Sequence, residues 1–242
     1  MAERSLTGAS IVVAGASGGL GGCIARQLAD YGARLTLVAR DVSKLESLSI
    51  DATLVSADLR DAETGRQIVA AAVGAHGRLD GLVNAAGVVA FGSLADTDDE
   101  VIEDLFLTNV LGPLWLMRAA IPALTETRGF IANISAVVAE QPLPGMAAYA
   151  ASKAALTAAD RALARELRAA GISVTDARPP HTETGLADRP ISGTAPRLKE
   201  GLQPDAVARR IIAAIIAGER EIPAEAFTAS HPAAAQFLSV AR

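Results

Sequence analysis

Hydrophobic positions fall into two patterns that alternate along the chain. Short apolar, often β-branched runs recur at 10–14, 34–39, 51–57, 79–83, 129–134 and 171–177. Runs of that length bounded by turn residues predict buried strands. Between them apolar residues recur at helical spacing: Ile24 and Leu28 after Cys23; Ile68, Val69 and Val73 within 61–75; Leu156, Leu163 and Leu167 between Tyr149 and about residue 170; and Val207, Ile211, Ile212 and Ile215 within 204–217. Each predicts an amphipathic helix. A longer helix is expected after Thr97-Asp98-Asp99-Glu100, a sequence with capping-box spacing, with Val101, Leu105, Asn109 and Leu116 toward one side. Strand and helix alternate throughout, so the pattern predicts a single doubly wound α/β domain over 1–242, its parallel sheet covered by helices on both faces. Residues 181–203 break the rhythm. They are rich in Gly, Pro and polar residues and read as a substrate loop or lid.

Composition narrows the class. Half of the 242 residues are apolar and a fifth are charged, which suits a globular domain with a substantial core. Net charge is −5 with both signs interspersed, so no basic patch points to nucleic acid. No apolar run approaches the ~20 residues of a spanning helix, and no secretory signal opens the chain. The expected setting is the cytoplasm, with no membrane partner. The single cysteine, Cys23, excludes an internal disulfide and a cysteine-based metal cluster; among apolar helix positions it reads as a core residue. No metal site is expected, because the acidic residues from Asp98 to Asp104 are accounted for as a helix start.

Candidate chemistry sits at strand ends. The run at 10–14 is followed at once by Gly15-Ala16-Ser17-Gly18-Gly19-Leu20-Gly21-Gly22 and then a helix. Strand, glycine turn and helix is the context of a dinucleotide-binding turn, with the helix N-terminus facing a pyrophosphate. After the second strand, Ala39 and Arg40 stand where an NAD site usually places an acidic residue. An arginine there suits a 2′-phosphate, so NADP(H) is favoured and NAD(H) remains possible. Asp58-Leu59 closes the third strand, and Asn84-Ala85-Ala86-Gly87 the fourth. Tyr149 and Lys153 are four residues apart and share a helix face. They stand out in a chain with two tyrosines and three lysines against nineteen arginines. A neighbouring ammonium favours the phenolate, so the Tyr149 pKa is expected to fall from ~10 toward working pH. The alanine-dense helix that carries the pair is a candidate subunit interface. His181 reads as a surface residue of the substrate loop, with substrate contact as the alternative. His76 and His231 are given no role.

Taken together these residues resemble the short-chain dehydrogenase/reductase family, over nearly the whole chain from Ile11 to about Ile222. Gly15, Gly19 and Gly21 match the family's glycine turn, with Ala14 replacing the usual Thr, and Asp58 matches its adenine-contacting Asp. Asn84 to Gly87 is similar to the NNAG motif, with Ala85 for the second Asn. Asn109, Ser135, Tyr149 and Lys153 match the catalytic tetrad. Pro179 and Thr184 match the residues beyond the sixth strand, where Pro180 replaces the usual Gly. The resemblance implies a Rossmann-type fold and cofactor contacts from Gly15, Ser17, Gly19, Leu20, Gly21, Arg40, Asp58, Leu59, Asn84, Ala85, Gly87, Tyr149, Lys153, Pro179, Thr182 and Thr184. It also implies a homodimer or homotetramer.

The implied activity is hydride transfer between NADP(H) and a small-molecule carbonyl or alcohol, with the protein supplying position and electrostatics. Tyr149 would be the general acid/base, Ser135 would orient the reacting oxygen, Lys153 would bind the nicotinamide ribose, and Asn109 would hold a water in a proton path. The apolar lip Val137, Val138, Leu143, Pro144 and Met146 predicts a largely apolar substrate portion. Two other readings stand beside this one: an isomerase or epimerase on the same fold, and a non-enzymatic nucleotide sensor.

Overall fold

A computed structural model describes residues 3–227 of the chain. The expectations for the tail, His231 among them, lie outside the described residues from 228 onward. Seven parallel strands form one sheet in the order β3-β2-β1-β4-β5-β6-β7. They are β1 Ser10–Ala14, β2 Arg34–Ala39, β3 Ala52–Ser56, β4 Gly81–Asn84, β5 Phe130–Ile134, β6 Ser173–Ala177 and β7 Glu221–Ile222. The helices are α1 Gly19–Asp30, α2 Val42–Glu46, α3 Thr64–His76, α4 Asp99–Phe106, α5 Gly112–Thr127, α6 Ala147–Glu166 and α7 Pro204–Ala217.

The chain leaves β1 toward one sheet edge and returns beyond it through β4, so the order reverses between these two strands. A crevice at the carboxyl ends of the strands is the physical result, because the loops after β1 and β4 diverge to opposite sides.

Both faces of the sheet are buried, which is why its central strands read as continuous apolar runs. Ile11, Val13, Leu35, Leu37 and Ala132 pack with Ile24 and Leu28 of α1 and Val207, Ile211 and Ile215 of α7. Val12, Leu82, Ile131 and Val174 pack with Ile68 of α3, Leu116 and Leu124 of α5 and Leu156 of α6. Each of these Val, Leu and Ile side chains contributes roughly 1.5–3 kcal/mol by leaving water.

Several local expectations are corrected. The Thr97–Glu100 capping box does not form. Asp98 is the N-cap of α4 and makes no side-chain cap bond, while Thr97 Oγ1 donates to the carbonyl of Ser93 at 2.8 Å. The helix expected from 61 starts at Thr64, because Asp61 closes a turn by accepting from Glu63 N at 2.9 Å. His76 ends that helix instead of sitting in a loop. The Tyr149 helix stops at Glu166, about a turn early. The short α2 was not foreseen; Asp41 caps it, accepting from Ser43 N at 3.0 Å.

One expectation needs a finer statement. The continuous helical stretch Asp99–Thr127 is long and apolar enough, by length and composition, to cross a bilayer. Here Leu105, Leu116, Met117, Ala120 and Leu124 of that stretch are buried in the domain core. Asn109 interrupts it within a π-helical turn, Leu107–Leu111. Such turns re-aim a side chain within a helix and recur at functional sites.

Candidate active site

A cleft of about 600 Å³ runs along the carboxyl ends of the strands. Its walls include Gly15, Ser17, Gly19, Leu20, Gly21, Arg40, Asp58, Leu59, Ala85, Gly87, Ser135, Tyr149, Lys153, Pro179, Thr182 and Thr184. Residues from seven separate segments thus meet in one crevice. Two expected site residues do not line it. Asn84 is buried under the sheet end, where its Nδ2 donates to Asn133 Oδ1 at 2.6 Å. Asn109 is likewise fully buried.

At the glycine turn the backbone itself forms the wall. Gly15 has φ +80°, and a Cβ there would lie 2.5 Å from Ala86 N. A Cβ on Gly21 would lie 2.2 Å from the carbonyl oxygen of Gly15, and one on Gly19 2.8 Å from that of Thr184. Neither a left-handed turn nor these approaches admits a side chain. The N-cap of α1, Gly18, supplies no side-chain bond to the first turn. Unserved N–H groups at the positive end of a twelve-residue helix make an anion cradle. The described residues therefore fit a dinucleotide pyrophosphate.

The ends of β2 and β3 form the far rim. Arg40 lines it together with Lys44, which the sequence reading did not single out. The unforeseen α2 carries Lys44 to this position; a capped short helix after β2 was the signal available. Asp41, the nearby carboxylate, is absent from the cleft wall because it accepts from both the backbone N and the hydroxyl of Ser43. Asp58 forms an ion pair with Arg60 at 2.8 Å, which holds its carboxyl below the usual range.

At the other end α6 brings in Tyr149 and Lys153, both buried. Lys153 Nζ donates to the carbonyl of Ile134 at 2.9 Å and passes close to Gly87, where a Cβ would lie 3.3 Å from it. Ser135 Oγ, at the end of β5, donates to the carbonyl of Lys153 at 2.9 Å and accepts from Thr157 Oγ1 at 3.0 Å. Asn109 clamps the loop after β4: its Oδ1 accepts from Val88 N, and its Nδ2 donates to Val88 O and to Ser152 Oγ.

Electrostatically the pair differs from expectation. Burial pushes the Tyr149 phenol up, not down. Burial also pulls the Lys153 ammonium down to about 8, opposed by the carboxyls of Asp176 and Asp160. The helical spacing was read correctly, but Lys153 is turned to a backbone carbonyl and desolvation sets the direction at the phenol.

Apolar groups close the remaining walls. Val89, Phe91, Val137, Val138, Leu143, Met146, Leu186 and Ile191 surround the end nearest Tyr149. The loop 181–203 is tied to the loop after β4 by a single bridge from Ser192 to Ala90, and its own ends are joined by another from Thr182 to Leu202. His181 also lines the cleft and is half-buried, 3.4 Å from Glu183.

Comparison with known proteins agrees with this architecture. The family model for short chain dehydrogenases matches residues 9–192. The chain is 33% identical over 237 residues to the 3-ketodihydrosphingosine reductase of Bos taurus, covering 88% of this chain and 70% of the bovine protein. It resembles the crystal structure of a short-chain dehydrogenase from Streptomyces avermitilis, with a TM-score of 0.80, 27% identity and coverage of 96% and 91%. It also resembles a metagenomic short-chain oxidoreductase solved in complex with NADP, with a TM-score of 0.77, 32% identity and coverage of 91% and 98%. The chain belongs to the short-chain dehydrogenase family and is an oxidoreductase of that family.

Proposed function

We propose that the protein is an NADP(H)-dependent oxidoreductase that interconverts an apolar ketone or aldehyde with its alcohol, using Tyr149 as general acid/base. The observation that carries this reading is the single cleft with an anion cradle and two rim cations at one end and Tyr149, Ser135 and Lys153 at the other. The glycine turn and the first turn of α1 would hold the pyrophosphate. Arg40 and Lys44 would take a 2′-phosphate, and Asp58 and Leu59 would contact the adenine. Ala85, Gly87 and Lys153 would hold the nicotinamide ribose. Pro179, Thr182 and Thr184 would contact the nicotinamide amide; Pro180 offers no N–H there.

The reduced nicotinamide, when bound, supplies a hydride to the carbonyl carbon. The residues of the chain manage the oxygen. Ser135 donates to it as negative charge develops, and Tyr149 delivers the proton that completes the alcohol. A neutral phenol, favoured by burial, is the form that can give that proton. The bovine relative carries a ketone reductase name, and a solved relative holds NADP; both accord with this direction and cofactor.

Titration with NADPH and NADH, read by nicotinamide fluorescence, tests the cofactor assignment. NADPH should bind at least ~10-fold more tightly, about 1.4 kcal/mol. Arg40→Ser should weaken that preference, and Arg40→Ser with Lys44→Ser should remove it, with NADH binding unchanged in both. Equal affinity for both in the unaltered protein would overturn the rim-cation reading.

A further inference from the structure

Beneath the catalytic residues the sheet carries a row of polar side chains. Asn84, Asn133, Asp176 and Glu221 are register neighbours across β4, β5, β6 and β7. The first three are buried. Asn133 donates to Asp160 of α6, which leaves the other Asp160 oxygen without a partner. Asp176 is 1% exposed, and neither of its oxygens accepts a hydrogen bond. The nearest cation is Arg178, with Nη1 at 3.4 Å, and it is already shared with Glu140 at 2.5 Å and Glu221 at 2.7 Å.

A buried carboxylate without donors is costly. It can take a proton, or it can recruit a donor. The side-chain hydroxyl that reaches it is that of Thr157, which here donates instead to Ser135. A hydroxyl has one proton to give. If Asp176 is neutral, its O–H can donate to Thr157 and Thr157 to Ser135, as here, and Ser135, which rests on the Lys153 carbonyl, can pass its proton to the reacting oxygen. If Asp176 is charged, Thr157 turns to it and offers its own oxygen to the Ser135 proton.

We propose that Asp176, acting through Thr157, is a positioning residue that decides whether Ser135 donates to the reacting oxygen. The neutral carboxyl points the hydroxyl chain at that oxygen, and the carboxylate points it away. The inference rests on the reading of Ser135 as the residue that binds the reacting oxygen.

The charges facing Asp176 are Arg178 at the end of its own strand, Glu221 on β7, Lys153, Asp160 and Arg161 on α6, and Glu140 after β5. Burial raises Asp176 to about 6, with Arg178 opposing, and holds Asp160 well above the usual carboxylate range. The switch therefore operates near pH 6.

Two measurements test it together. The first is an infrared pH titration of the protonated-carboxyl band in the protein without substrate. The second is the pH profile of kcat/KM for NADPH-dependent reduction of 1-phenyl-1,2-propanedione, for the wild type, Thr157→Val, Thr157→Ser and Asp176→Asn. In the wild type kcat/KM should fall by up to about tenfold per pH unit as one proton is lost. Thr157→Val should erase that inflection and shift the infrared band, Thr157→Ser should restore both, and Asp176→Asn should remove the Asp176 component of the band and leave that of Asp160. A Thr157→Val enzyme with the wild-type inflection and band overturns the relay alone. A wild type that binds NADPH but reduces no carbonyl overturns the reductase reading itself, and the relay with it.

Discussion

Beneath β1, β2 and β3 the sheet is apolar on nearly every inward position, with only the small hydroxyls of Ser10 and Thr36 buried there. Beneath β4, β5 and β6 the same layer holds Asn84, Asn133 and Asp176, met from α6 by Lys153, Thr157 and Asp160. On the proposed reading the first half would recognise its ligand with backbone N–H groups and two rim cations, so its floor need only pack. The second half would aim side chains and move a proton, and polar groups are buried behind them although each desolvated carboxyl costs stability. The one sheet thus holds two kinds of core, one under the proposed binding end and one under the proposed chemical end.

The largest effect should come from the catalytic half. Tyr149→Phe should lower turnover by about 10²–10⁴-fold, the range of a lost general acid, while NADPH affinity stays close to that of the wild type. Retained turnover would remove Tyr149 from the mechanism. The binding half breaks differently. Gly21→Val would drive a side chain into the carbonyl of Gly15, which a Cβ already approaches to 2.2 Å. NADPH binding should be lost and the protein destabilised by roughly 1–3 kcal/mol, an overpacking cost, read by thermal denaturation. Unchanged binding would show that the turn does not hold the nucleotide.

The buried carboxyls give the comparison a pH signature. Asp176 is raised in the folded state to about 6, and Asp160 is raised too. Unfolded carboxyls of this type titrate near ~3.9. Between these values the folded protein holds protons that the unfolded chain has lost, so stability falls as pH rises through this window and the loss is complete above it. For Asp176 the span is on the order of 3 kcal/mol. Melting temperature should therefore drop as pH rises from the unfolded value to neutrality, and Asp176→Asn should flatten that slope. A variant as steep as the wild type would show that Asp176 is not a source of it. The smallest effect belongs to the cofactor rim. Arg60 pairs with Asp58 and Asp104 while all three remain well exposed. Arg60→Ala should cost less than about 1 kcal/mol, a change close to the resolution of a melting curve.

Much of this arrangement was legible in the chain. Strands buried on both faces leave apolar runs, and Gly15, Gly19 and Gly21 follow β1 so directly that the turn is visible without coordinates. Tyr149 and Lys153 share a helix, so their proximity follows from spacing alone. Other features have no local signal. Whether Asp41 or Lys44 faces the cleft depends on how α2 is capped. Asn84 reads as a loop-side contact until the β4–β5 register pairs it with Asn133.

The sequence by itself therefore determined the order of the first six strands and of the longer helices, the glycine turn and the helical pairing of Tyr149 with Lys153, because each depends on residues near one another in the chain; the short α2 and the two-residue β7 it did not. Only the tertiary structure decided the direction of the Tyr149 and Lys153 pKa shifts and the meeting of Asp176 with Thr157 and Ser135. Desolvation depends on what the whole fold packs around a group, and contacts between β5, β6 and α6 exist only once the sheet has chosen its register.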